Sequence, residues 1–139
     1  MNLLARREHS TRELKNKLLK REFTVEQIEQ TIGKLQQEGL QSDQRFAEAY
    51  IHMRTNRGYG PYRIQMELLE RGVAEQLIEQ LLQIDDETWQ ERIVKVWQKK
   101  FHSCYPTNPM EYKKQLDFLQ YRGFDLKQIN RLLKGKLAE

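Results

Sequence analysis

The most constraining feature of this sequence is an internal repeat with a period of about fifty residues. Leu18, Leu68 and Leu119 are equivalent, and each is followed at fixed spacings by an arginine and by three apolar residues. These equivalent sets are Arg21, Arg71 and Arg122; Phe23, Val73 and Phe124; Ile28, Ile78 and Ile129; and Ile32, Leu82 and Leu133. A unit of this size buries too little apolar surface to be stable alone, so neighbouring units are expected to stack and share a core.

Each unit is predicted to be helical. Apolar residues recur at helical spacing throughout the chain, and no segment sustains the period-two alternation of a half-buried strand. Capping-box spacings predict four helix starts: Ser10 with Glu13, Thr24 with Gln27, Asn108 with Glu111, and Asp125 with Gln128. Helix ends are predicted at Gly39, Gly72 and Gly123. The predicted fold class is therefore all-α.

The repeat divides the chain into three three-helix units: residues 1–40, 41–84 and 85–139. Stacking of such units predicts an elongated, curved solenoid with a long groove or edge. The third unit is degenerate, because Gln115 stands where the first two units have leucine and isoleucine, and a long loop at 102–109 replaces a tight corner. Degenerate end units are typical of the place where stacking stops.

A tight corner joins two helices in the second unit. Gly58-Tyr59-Gly60 ends one helix, and Pro61 suits the first position of the next, where its missing N–H is not needed. Arg54, Arg57 and Arg63 surround this helix start, whose backbone N–H groups are free. Such a corner can bind a phosphate or another anion, although most corners of this kind only join packed helices.

Charge is strongly segregated along the chain, although the net charge is only +4. Basic residues predominate in residues 1–21 and 92–139 and slightly in 51–71, whereas acidic residues predominate in 22–50 and 72–91. This pattern favours a basic face for nucleic acid, with acidic segments facing elsewhere or meeting a basic protein partner. An ordinary solvated surface of a charge-rich helical protein would give the same pattern.

The residue types that would support other functional classes are missing or poorly placed. No apolar run approaches the roughly 18 residues of a membrane span, and no signal-peptide pattern is present, so we expect a cytoplasmic protein that does not bind membranes. The single cysteine and three histidines lack metal-ligand spacing, and no phosphate-binding loop or catalytic grouping is apparent. We therefore expect no enzymatic activity, metal or cofactor.

Trp89 and Trp97 share one helical stripe, which predicts core packing and not base stacking.

Two stretches resemble the RecX family of bacterial recombination regulators. They are Leu3 to Leu19, LLARREHSTRELKNKLL, and Asp43 to Leu68, DQRFAEAYIHMRTNRGYGPYRIQMEL. The RREHS start and the RGYGPxRIxxEL corner occur in order and about fifty residues apart, which makes the resemblance specific over residues 3–82. Beyond that range it continues weakly, through the repeat.

The resemblance implies a protein of tandem three-helix repeats that binds the RecA recombinase along the groove of its filament on DNA. It also implies inhibition of the ATPase, strand-exchange and coprotease activities of RecA, a place in DNA repair and SOS regulation, and weaker electrostatic affinity for single- and double-stranded DNA. Nothing in the sequence requires more than a monomer.

The family has no catalytic motif to transfer, so the candidate contact residues come from charge and position in this sequence. For DNA or filament binding they are Arg6, Arg7, Lys15, Lys17, Lys20, Arg54, Arg57, Tyr59, Arg63, Lys95, Lys99 and Lys100. Tyr59 and Tyr62 are expected to be exposed on the corner. The repeated arginine, Arg21, Arg71 or Arg122, either complements the carbonyl end of its own helix or makes a repeated phosphate contact.

Two other functions compete with a filament regulator. A helix-turn-helix protein that binds specific DNA sequences is also small, basic and three-helical, but the helix over 24–38 carries Glu26 and Glu29, which would repel phosphate. A helical-repeat scaffold for proteins would be indifferent to DNA and to the recombinase. The filament regulator is favoured because the resemblance supports it.

Overall fold

The computed structural model describes residues 8–39, 41–85 and 87–135, and the regular structure in these ranges is entirely helical. Eight helices occur there: α1 (Thr11–Lys20), α2 (Val25–Gln37), α3 (Asp43–Asn56), α4 (Pro61–Glu70), α5 (Glu75–Leu82), α6 (Thr88–Phe101), α7 (Pro109–Arg122) and α8 (Leu126–Gly135). The predicted all-α class is confirmed.

Four of these helices, α1, α2, α7 and α8, begin at the capping residues that the sequence predicts. Ser10 Oγ accepts the backbone N–H of Glu13 across 3.1 Å, and Glu13 Oε1 accepts the backbone N–H of Ser10 across 3.2 Å. Side-chain oxygens begin three further helices in the same way: Thr24 for Gln27, Asn108 for Glu111, and Asp125 for Gln128. Each cap satisfies a backbone donor that has no partner within its own helix.

The chain forms two compact units. The first contains Met1–His52 with Glu67–Leu81, and the second contains Met53–Met66 with Leu82–Glu139. Helices α3 and α4 therefore contribute residues to both units. The boundaries of the three sequence repeats stay a prediction.

The core of the first unit forms where α1 packs against α2. Its buried cluster comprises Leu14, Leu18, Ile28, Ile32 and Leu35. These side chains recur at spacings of three, four or seven within each helix, so both helices bury one face. Phe46 and Tyr50 of α3 are also buried, with ring centroids 5.7 Å apart.

The core of the second unit is built by α6, α7 and α8, which pack pairwise. Trp89, Ile93 and Trp97 form the buried stripe of α6, which confirms that both tryptophans are core residues. The ring of Trp89 meets Phe124 edge-on, with centroids 6.5 Å apart. Such an edge-to-face pair adds to the stabilisation that apolar burial provides.

Gln115 is a buried polar bridge in the second unit. Its Oε1 accepts the indole N–H of Trp97 across 2.9 Å, and its Nε2 donates to the carbonyl oxygen of Cys104 across 2.9 Å. Cys104 lies in the loop between α6 and α7, so this side chain fixes that loop to the core. The residue that marks the third repeat as degenerate therefore replaces apolar packing with two hydrogen bonds.

A helix start packs against a helix end in each unit. In the first unit, Ser10 Oγ donates to the carbonyl oxygen of Arg71 across 2.8 Å, and Arg12 lies against Gly72. In the second, the backbone N–H of Gly60 donates to the carbonyl oxygen of Arg122 across 2.7 Å. Ser10 and Gly60 are equivalent in the repeat, as are Arg71 and Arg122, so the two units join equivalent positions, through a side-chain hydroxyl in the first and a backbone N–H in the second.

A basic cleft as the candidate functional site

A cleft of about 490 Å³ lies within the second unit, between the end of α3, one face of α6 and the last turns of α7. Six of its lining residues are cationic: Arg57, Arg92, Lys95, Lys99, Lys100 and Arg122. The other lining residues are Thr55, Asn56, Gly58, Val96 and Phe118. The cleft is therefore a concave basic surface with an apolar patch.

Helix α6 supplies the main row of positive charge. Arg92, Lys95 and Lys99 follow one another at spacings of three and four residues, which places them on one face of the helix. At about 1.5 Å per residue the row spans roughly 10 Å. The buried tryptophan stripe lies on a different face of α6, so core packing holds the row towards the cleft.

Carboxylates of the described residues do not neutralise the positive charge of the cleft. Within residues 8–39, 41–85 and 87–135, no Asp or Glu lines the cleft and none of its six cations forms an ion pair. By contrast, Arg45 and Arg71 pair with Glu8 and Glu13. A concave surface that gathers unpaired cations attracts anions.

Arg122 is the most firmly held cation of the cleft. One of its guanidinium nitrogens donates to the carbonyl oxygen of Arg57 across 3.0 Å. Its guanidinium carbon also lies 4.9 Å from the ring centroid of Tyr59 and 5.1 Å from that of Phe118. Because these contacts already hold the guanidinium group in place, binding an anion costs little side-chain conformational entropy.

The corner arginines are mainly stacked on aromatic rings. The guanidinium carbons of Arg54 and Arg63 lie 3.6 Å and 4.8 Å from the ring centroid of Tyr59. Arg63 also lies 4.7 Å from the ring centroid of Tyr121 and donates to the carbonyl oxygen of that residue across 3.0 Å. Tyr59 is consequently half-buried, and the expectation that it is exposed is wrong; Tyr62 is exposed, as expected.

The predicted contact residues of the first helix lie in the other unit. Lys15 and Lys20 are exposed on α1, whereas Lys17 is half-buried with its Nζ 2.7 Å from Nε2 of His9. Arg6 and Arg7 lie outside the described residues. Of the predicted set, the cleft brings together Arg57, Lys95, Lys99 and Lys100.

Sequence reasoning did not include Arg92, Phe118 or Arg122 in the candidate binding set. Arg92 carried a usable signal, because it precedes Lys95 by three residues on the same helix. The sequence marked Arg122 only as the repeat equivalent of Arg21 and Arg71, and not as part of a site. Its proximity to Arg57, 65 positions earlier, appears only when the chain is folded.

The described part of the chain contains neither a candidate metal site nor a helix that could span a membrane. No group of histidine, cysteine, aspartate or glutamate side chains there could hold a metal ion. None of the helices in those ranges has the length and apolar character needed to cross a membrane.

Family models match almost the whole chain. The first, second and third three-helix domains of RecX match residues 1–35, 42–82 and 86–133, respectively. The chain belongs to the RecX family. Consistent with this, a protein named Regulatory protein RecX from Pseudomonas putida strain GB-1 is 46% identical over 136 residues, covering 98% of this chain and 87% of that one. The protein of the same name from Pseudomonas entomophila is 44% identical, covering 98% and 88%.

Solved structures of RecX share the fold. The crystal structure of RecX from Lactobacillus salivarius superposes with a TM-score of 0.76 at 20% identity, covering 99% of this chain and 92% of that one. A second crystal structure, of a regulatory protein RecX, gives a TM-score of 0.77 at 19% identity, covering 96% of this chain and 67% of that one. At these identities the comparison supports the RecX fold alone, including its tandem three-helix domains.

Proposed function

We propose that this RecX-family protein binds the RecA recombinase filament on DNA and inhibits its ATPase, strand-exchange and coprotease activities. We place it along the filament groove, as a cytoplasmic monomer without cofactor. The curated relatives are named regulatory proteins, which accords with a binding protein and not an enzyme.

The unpaired basic cleft is the observation that carries the proposal. A regulator of a DNA-bound filament works next to a dense row of phosphates, where a concave basic surface gains binding energy by releasing counterions. Several repeats in one chain also allow contacts with more than one protomer, which raises the overall affinity without requiring any strong single contact.

The test is the rate of ATP hydrolysis by RecA on single-stranded DNA, titrated with this protein well below one copy per RecA protomer. A steep loss of activity is expected. Electron-microscopic filament lengths in the same samples would separate filament capping from groove binding. Undiminished hydrolysis at excess protein would refute the proposal and favour a sequence-specific DNA-binding protein or a protein scaffold.

A charge-reversal pair then tests the cleft as the contact surface. Lys95→Glu with Lys99→Glu is expected to weaken inhibition strongly, because both side chains are exposed and unpaired within the described residues. Lys34→Glu with Lys114→Glu changes the net charge equally at exposed positions outside the cleft, and should retain inhibition. Equal effects of the two pairs would mean that only net charge matters.

A further inference from the structure

Helices α1, α4 and α7 end in the same way. In each, the residue that closes the last turn has a positive φ, and its backbone N–H donates to the carbonyl oxygen three residues earlier, across 3.1, 3.0 and 3.0 Å respectively. Glycine adopts this conformation without strain, and α4 and α7 have glycine there, as Gly72 and Gly123. In α1 the same position is occupied by Glu22, with a φ of +65°.

The two glycine ends are each covered by the start of another helix. A Cβ on Gly72 would lie 2.8 Å from Cβ of Arg12. A Cβ on Gly123 would lie 2.4 Å from Cβ of Arg63. Each arginine also donates to the carbonyl oxygen two residues before its glycine, across 3.3 Å for Arg12 and 3.0 Å for Arg63. A glycine at the helix end and an arginine on the docked helix therefore define the contact in both units.

The end of α1 has no such covering helix start among the described residues. Glu22 is exposed, and Phe23 beside it is 45% exposed, whereas the equivalent residues after the two glycines are 3% and 2% exposed. Glutamate does not suit the helix itself, because a left-handed backbone strains any residue with a Cβ and a negative charge is unfavourable beside helix-end carbonyls. A residue that breaks two local rules at an exposed helix end points to a role outside α1.

The start of α7 is exposed and resembles the docked start of α4. Both helices have proline directly after the N-cap residue. Two positions differ, however: Asn108 is the N-cap where α4 has Gly60, and Glu111 is the third helical residue where α4 has Arg63. A carboxylate accepts hydrogen bonds and cannot donate one to a helix-end carbonyl. Against the end of α1, Glu111 would also meet the like charge of Glu22.

We propose that Glu22 and Glu111 are stop residues, which prevent the end of α1 in one copy of the chain from accepting the start of α7 of a second copy. Without them, the contact that packs helix starts on helix ends inside each unit would also join separate molecules head to tail. The two surfaces of such a contact differ, so every bound molecule would keep one of them available, and chains or rings of molecules would form. The proposal concerns self-assembly, and its test contains neither DNA nor recombinase, so it can fail independently of the proposed function.

The experiment opens each end in a separate full-length variant and measures association by sedimentation velocity at about 5 to 200 µM protein. Glu22→Gly opens the end of α1. Asn108→Gly with Glu111→Arg gives the start of α7 the pattern of the α4 start. Each variant alone is expected to stay monomeric, like the parent, whereas an equimolar mixture should approach about twice the monomer mass. All three substitutions in one chain should produce species larger than a dimer.

Controls separate a specific contact from a change in net charge or a loss of structure. Glu29→Gln and Glu79→Arg, at exposed positions on α2 and α5, reproduce the two charge changes, and their mixture should stay monomeric. Circular dichroism checks that every variant is folded. Should Glu111→Arg disturb its loop, Glu111→Gln keeps an oxygen for the Thr107 donors and still removes the repulsion.

Four results would overturn the proposal. The first is a folded mixture of the opened variants that remains monomeric at the highest concentration. The second is self-association of the parent. The third is association of either opened variant alone as strong as that of the mixture, which would mean a contact other than head to tail. The fourth is equal association of the charge-matched controls.

Discussion

The backbone N–H of Gly60 donates to the carbonyl oxygen of Arg122 across 2.7 Å, and this hydrogen bond joins the start of α4 to the end of α7. The backbone N–H of Tyr62 reaches the carbonyl oxygen of Gly123 across 3.0 Å at the same place. A Cβ on Gly60 would lie 2.5 Å from the carbonyl carbon of Gly123, so side chains are excluded where the two backbones meet. This contact brings Arg122 close to Arg57 in the basic cleft.

Replacing Gly123 by alanine should destabilise the protein by more than about 2 kcal/mol, because two costs add. The residue has a φ of +107°, which disfavours any side chain, and a new Cβ would lie 2.4 Å from Cβ of Arg63. Urea unfolding followed by circular dichroism measures the change.

Two other glycines separate these costs. Gly39 has a φ of +71° with nothing within 4 Å, so Gly39→Ala should cost only about 1 kcal/mol of backbone strain. Gly33 lies within α2 with open space around it, so Gly33→Ala should stabilise by up to about 1 kcal/mol. A cost for Gly123→Ala no greater than that for Gly39→Ala would contradict the close approach.

Of the repeated arginines, Arg71 is predicted to stabilise the folded state, whereas Arg21 is not. Arg71 donates to the carbonyl oxygen of Glu67 across 3.0 Å, lies 4.8 Å from the ring centroid of Tyr50 and has its Nε 3.9 Å from Glu13. Arg71→Met should therefore lower the unfolding free energy by about 1–2 kcal/mol, whereas Arg21→Met, at an exposed position, should change it by less than about 0.5 kcal/mol.

Binding measurements with the same two variants decide between the alternatives that the repeat leaves open. If the arginine complements the carbonyl end of its own helix, Arg71→Met will lower the unfolding free energy. Its affinity for DNA, measured under conditions in which the variant is folded, will then stay close to that of the parent. A loss of affinity without a loss of stability would instead identify a phosphate contact.

Local signals predicted the helices well, whereas the cleft required the folded chain. A helix start depends on residues close together in the sequence, such as Ser10 with Glu13 or Gly60 with Pro61. The sequence alone therefore predicts it. The contacts of Arg122 depend on residues far away in the sequence, and periodicity carries no information about them. Phe23 illustrates the same limit, since it is 45% exposed although its repeat equivalents Val73 and Phe124 are 3% and 2% exposed.

Gln115→Leu tests whether the buried bridge outweighs apolar packing. Leucine matches the apolar residues at the equivalent repeat positions, but it would leave the indole N–H of Trp97 and the carbonyl oxygen of Cys104 without their partner. A destabilisation of about 1–3 kcal/mol is expected, together with a change in tryptophan fluorescence. A variant as stable as the parent would show that water or a rearranged loop satisfies both groups.

Glu111 is predicted to titrate below its ordinary pKa of 4.5. The backbone N–H and then the hydroxyl of Thr107 donate to its carboxylate, across 3.1 Å and 3.0 Å, and Lys114 adds a favourable charge, so the ionised form is stabilised and the pKa is lowered. The folded state gains from these bonds at pH values above the ordinary pKa. That gain disappears as the pH falls through the lowered value.

Carboxyl-carbon NMR titration measures this pKa directly. Thr107→Ala removes the hydroxyl donor but keeps the backbone N–H, so the pKa should rise part of the way towards the ordinary value and remain below it. In the parent, acidification below the lowered pKa should loosen the loop between Phe101 and Pro109, which faster amide exchange there would report. A parent pKa at or above 4.5 would mean that the Thr107 bonds do not persist in solution.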